Sequence, residues 1–186
     1  TLKISNIRAS LPVMLSYTAK TKDQSFYGMS ILLNSLACRT LHNPDCEYPD
    51  VQRITRYVTG AQGVLSTFGK KTLEDDGFPA GDVLARGYGE DKFKFKVNTI
   101  VKLVEKIQPD ILVLLGDNSE LDPAAYVGVE DVLAKRGEPV KIFTYIHMIN
   151  PILGHDDQLF PGQRAYVTAI DLAAAGVQEP LTSTAH

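Results

Sequence analysis

The chain has 186 residues, 44% of them hydrophobic and 22% charged. These are the values of one ordinary globular domain with a full core, and they exclude disorder as the main state and a fibrous repeat. Its 19 basic and 22 acidic residues leave a net charge of -3, which gives no reason to expect a nucleic-acid surface. The longest apolar runs, such as Ile111 to Leu115, fall far short of a membrane span.

In chain order, Leu2 to Ile4 reads as the end of a strand, and Met29 to Ala37 as a buried helix preceded by Gly28. Residues 40–50, with two prolines, read as a loop. Arg53 to Val58 is β-branched and aromatic and predicts a strand. Val64 to Asp76 predicts a helix capped by Gly77, and Asp82 to Ala85 a short strand. Phe93 to Ile107 is amphipathic, with Val97, Ile100, Val101 and Val104 on one face. Ile111 to Leu115 is an unbroken apolar run, as a parallel strand covered on both faces requires. Pro123 to Lys135 predicts a helix with Asp122 as N-cap. Val140 to Ile146 predicts a strand and Val167 to Ala175 a closing helix.

This alternation predicts an α/β fold of Rossmann type, a parallel sheet with helices on both faces. Residues 1–177 are expected to form a single domain, and residues 178–186 a loose tail.

Ligands of such sheets bind beyond the carboxyl ends of the strands. Thr59 and Gly60 follow one strand there, Gly116-Asp117 and Asp122 another, and His147 a third. Lys92, Lys94 and Lys96 head the helix that leads into ILVLL. A hydroxyl, a lysine and two carboxylates suit a phosphate and a divalent cation, with Asp oxygens as hard ligands for Mg²⁺. Each also has a plainer reading: a turn after a strand, a solvated helix entry, a turn former, a cap. His147 and His155 stand eight apart, which fits no common zinc spacing. Cys38 and Cys46 are the only cysteines. They read as free thiols in a reducing cytoplasm or as a short-loop bridge in an exported, periplasmic protein.

Strand then Ser/Thr, a helix-heading Lys, and strand-GDxxxxD together resemble motifs two to four of the haloacid dehalogenase (HAD) superfamily of phosphohydrolases. The closer likeness is to the catalytic domain of the actin-patch-associated phosphatidate phosphatases and their bacterial relatives. It is carried by YVTGAQGVL (57–65), DGFPAGDVLARGYG (76–89), the helix from Lys96, LLGDNSELDPAAY (115–126) and LFPGQRAYVTAIDLA (159–173), and it extends to FYGMSILLNSLA (26–37). The resemblance implies a Mg²⁺-dependent phosphatase working through an aspartyl-phosphate. Its substrate would be phosphatidate or another phosphorylated small molecule. It gives Thr59 a hydrogen bond to a transferring oxygen, with Gly60 in the same turn. Lys96, favoured over Lys94 because it begins the helix in the family's apolar phase, offsets charge and steadies the nucleophile. Asp117 binds the metal, Asp122 supports the metal shell or Lys96, and Arg86 either reaches a substrate phosphate or is a plain surface arginine. TLKISN resembles the tail of the first motif, Asp-x-Asp-x-Thr, with Thr1 as its Thr and both aspartates expected upstream. Leu11 to Tyr17 is the candidate apolar access face for a lipid. The alternatives are a catalytically inactive interaction module of the same fold and a phospho-ligand or acyl-lipid binder. Oligomeric state is unreadable from the residues.

Overall fold

The computed structural model describes residues 28–36, 54–62, 64–118, 121–148 and 159–178. The expectations for Thr1, Leu2 to Ile4, Leu11 to Tyr17, Cys38, Cys46 and His155 lie outside them. In chain order the elements are α1 (Met29–Leu36), β1 (Arg56–Thr59), α2 (Val64–Asp75), β2 (Asp82–Ala85), α3 (Lys92–Ile107), β3 (Ile111–Asp117), α4 (Asp122–Arg136), β4 (Lys141–His147), β5 (Arg164–Tyr166) and α5 (Ala169–Gln178).

All strand pairs are parallel. β1 pairs with β2, and β3-β4-β5 form a second sheet in that order. The class is α/β, with helices on both faces. The alternation along β3 explains why its apolar run is unbroken. Leu112 and Leu114 turn toward Val97, Ile100, Val101 and Val104 of α3 and Val129 and Leu133 of α4. Ile111, Val113 and Leu115 turn the other way, toward Met29 of α1 and Leu172 of α5. Val58 of β1 packs into the same cluster as α3 and α4, so α3 covers the end of one sheet and the face of the other.

Local chemistry sets the element boundaries. α2 ends in a Schellman turn. Gly77 sits at φ +69°, its N–H bonds Glu74, and the Phe78 N–H reaches back to Leu73. Asp91 caps α3 by accepting from the Lys94 N–H at 2.8 Å. Gly128 allows α3 and α4 to approach, because a methyl group there would meet Phe93 and Val97 at 3.0 Å.

Two expectations are corrected. Val167 and Thr168 precede the last helix rather than opening it, and the three residues before them form β5. Thr168 and Asp171 make a reciprocal cap, Thr168 N–H to Asp171 Oδ2 at 2.9 Å and Asp171 N–H to Thr168 Oγ1 at 3.2 Å. These bonds from Thr168, and a further one from the Val167 N–H, hold the Asp171 carboxyl below the usual carboxylate range. Asp122 is the second departure. It is the first residue of α4 and makes no capping bond, while Leu121 stands at the cap position. Its carboxylate is drawn elsewhere, to Lys96.

Candidate active site

Lys96 lies one helical turn beyond Lys92 on α3, and the amphipathic phase of the helix turns it inward with Val97 and Ile100. Only 7% of Lys96 and 8% of Asp122 is exposed. Their side chains form a buried ion pair between Lys96 Nζ and Asp122 Oδ1. The other oxygen, Asp122 Oδ2, accepts from the Asp117 N–H at 3.4 Å. Asp122 therefore ties the first turn of α4 to α3 and to the last residue of β3. Lys94, by contrast, is exposed.

Gly116 makes this approach possible. A methyl group at that position would lie 2.7 Å from Asp122 Cβ, Asp122 Oδ2 and the Tyr126 hydroxyl. Gly116→Ala is expected to cost about 1–3 kcal/mol, the range for forcing an extra carbon into a packed site. Urea unfolding measures the loss.

Two phenols flank Asp117. The Tyr126 hydroxyl donates to the Leu115 carbonyl at 2.8 Å. Burial first, then the Asp117 carboxylate, pushes its ionisation above the ordinary tyrosine range. Tyr166 is raised to about 12, by burial and then by Asp117. Across the sheet, Asp117 is in register with His147, and His147 with Tyr166. The His147 and Tyr166 rings stack 4.9 Å apart, and His147 Nε2 donates to the Val167 carbonyl at 2.9 Å. For a phenol with a raised folded-state value, stability is complete below the ordinary value of about 10 and is lost as pH rises through the folded value. Thermal midpoints should therefore fall as pH rises from about 10 toward 12, and Tyr166→Phe should flatten that fall.

Thr59 ends β1, and its Oγ1 accepts from the Ala61 N–H at 3.1 Å, shaping the turn that follows. Gly60 is buried in that turn. The Lys92 stem lies against it, 3.5 Å from where a methyl group would be. The head of α3 thus touches both strand ends: Lys92 meets the turn after β1, and Lys96 meets the segment after β3.

Arg86 is held by backbone carbonyls. Its Nε donates to the Gly60 carbonyl at 3.1 Å and a guanidinium NH group donates to the Glu90 carbonyl. Its own N–H bonds the Thr59 carbonyl at 3.2 Å. Gln62 Nε2 returns the connection, donating to the Gly87 carbonyl at 2.6 Å. Arg86 and Gln62 clasp the turn after β1 to the turn after β2.

Among the site residues named from the sequence, contacts join Lys96, Asp122 and Asp117, and separately Thr59, Gly60 and Arg86. The sequence reading missed Tyr126, Tyr166 and Gln62. Tyr126 sits within the stretch 115–126 that carried the resemblance, four residues after Asp122, on the same helix face. No local signal marks Gln62.

The family model described as phosphatidate phosphatase APP1, catalytic domain, matches residues 1–142. Comparison with curated proteins and with solved structures found no match.

Proposed function

The chain belongs to the phosphatidate phosphatase APP1 catalytic-domain family and is a phosphatase, and from that premise we propose that it cleaves a phosphomonoester, phosphatidate first among candidates, with the help of Mg²⁺. The observation that carries the reading is the buried Lys96–Asp122 pair beside Asp117 at the carboxyl end of β3.

Asp117 offers a hard oxygen donor at that edge, beside the Lys96–Asp122 pair. Mg²⁺ keeps waters and phosphate oxygens around one or two carboxylates, so a single Asp suits it. When bound, the ion supplies charge neutralisation on the phosphoryl oxygens.

The chain's own residues do the rest. The Thr59–Gly60 turn receives a phosphoryl oxygen. Lys96 sets a positive charge behind the reacting carboxylate, and Asp122 fixes that lysine. The resemblance implies, as the attacking carboxylate, an aspartate of the family's first motif, whose tail TLKISN resembles. Its oxygen bonds to phosphorus as the bond from phosphorus to the alcohol oxygen breaks, the motif's second aspartate gives that oxygen its proton, and water then cleaves the acyl-phosphate to inorganic phosphate and the free carboxylate.

The test is phosphate release by the full-length protein from phosphatidate and from p-nitrophenyl phosphate, with Mg²⁺ and with a chelator. Release from both, abolished by the chelator, is expected. No release from either with Mg²⁺ present would overturn the reading.

A further inference from the structure

β3 carries the candidate site on its last residues, and its backbone groups alternate between two edges. At its two ends the Asp110 carbonyl accepts from the Lys141 N–H, and the Asn118 N–H donates to the His147 carbonyl. In a parallel ladder every second residue turns both of its backbone groups to the same neighbour. The even-numbered positions of β3 therefore serve β4, and the Leu115 carbonyl and the Asp117 N–H face the opposite edge. Among the described residues β3 pairs with no other strand, and α4 supplies the bonds there. The Tyr126 hydroxyl donates to the Leu115 carbonyl at 2.8 Å, and Asp122 Oδ2 accepts from the Asp117 N–H at 3.4 Å.

Asp122 and Tyr126 stand four residues apart on α4, one above the other on the same face, and both are buried. They grip the chain on either side of Gly116, and glycine has the widest backbone freedom of any residue. Freedom at that position would pass directly to Asp117, the next residue. The Tyr126 hydroxyl and Asp122 Oδ2 both lie 2.7 Å from where a methyl group on Gly116 would be, so the helix rests on the glycine itself. Asp122 has a second task, the ion pair with Lys96. Tyr126 is uncharged, and a phenylalanine ring would fill the same place in the core. What the tyrosine adds is the hydroxyl.

We propose that Tyr126 is a positioning residue of the active site: with Asp122 it clips the end of β3 to α4, and so fixes the backbone from which Asp117 offers its carboxylate to the cation. This rests on the phosphatase reading above and deepens it, because Tyr126 acts through Asp117 rather than on the phosphate.

Tyr126→Phe removes the hydroxyl and keeps the ring. In the full-length protein, its Mg²⁺ dissociation constant, measured by calorimetry without substrate, should rise about tenfold, the lower end of the effect of losing a group that orients a metal ligand. The Mg²⁺ concentration for half-maximal phosphate release from p-nitrophenyl phosphate should rise by the same factor, with the KM for that substrate unchanged at saturating Mg²⁺. Leu133→Val is the control. It thins the same core about two turns further along α4, and should lower the urea midpoint while Mg²⁺ affinity stays at the wild-type value. An unchanged Mg²⁺ constant in Tyr126→Phe overturns the proposal. So does an equal rise in Leu133→Val, since the hydroxyl would then be one buried contact among many. Wild-type protein that binds Mg²⁺ and releases no phosphate refutes the phosphatase reading instead, and the Tyr126→Phe constant still decides the clip. Wild-type protein that binds no Mg²⁺ overturns both.

Discussion

Lys96→Met is expected to abolish turnover and to weaken the fold at once. The substitution leaves Asp122 charged and buried without its counter-ion, a loss of about 3–5 kcal/mol. Catalysis should fall on the order of 10²–10³-fold, as for other charge-stabilising donors. The two losses can be separated. Adding Asp122→Leu removes the stranded carboxylate, and buried ion pairs replaced by packed apolar groups are often neutral or stabilising. The double variant should recover stability in urea unfolding and remain inactive in phosphate release. A single variant as stable as the wild type would mean that the pair is not shut away from water.

Asp117→Asn is the second large effect, and it falls on chemistry alone. The amide matches the carboxylate in shape, and the Asp117 N–H bond to Asp122 is made by the backbone and survives. Turnover should drop on the order of 10²-fold or more with loss of the charge, while the unfolding midpoint changes little. The same variant has an optical readout. Asp117 helps to hold Tyr126 and Tyr166 in their neutral forms, so tyrosinate should appear at lower pH in Asp117→Asn than in the wild type. An unchanged tyrosine titration would place the carboxylate away from both rings.

The fold was legible where one face pattern repeats over enough residues. ILVLL of β3 and the apolar face of α3 are set by burial, and burial writes itself into residue type. β5 escaped because Arg164–Tyr166 is only three residues long, too short for a period-2 pattern to stand out. Asp122 shows a different limit. An Asp before a Pro at a helix start is the signature of a cap, and only the family resemblance, which gives Asp122 a role supporting the metal shell or Lys96, points beyond it. The competing partner, Lys96, is 26 residues away, and it wins because a buried ammonium must be matched. Arg86 illustrates the same point. Its acceptors are backbone carbonyls of Gly60 and Glu90, which every residue type carries, so nothing in the sequence distinguishes them. The motif spacing located the neighbourhood of the site, but it could not distribute the side chains within it.

The clasp between the turns after β1 and β2 has a practical side. Arg86 and Gln62 grip peptide oxygens, and a peptide oxygen is the same whatever residue bears it. Positions 61 and 88 are therefore open to exchange while the frame beneath them holds, whereas position 89, at φ +79°, calls for glycine. A library confined to those two sites would search for altered substrate preference at little cost in folding.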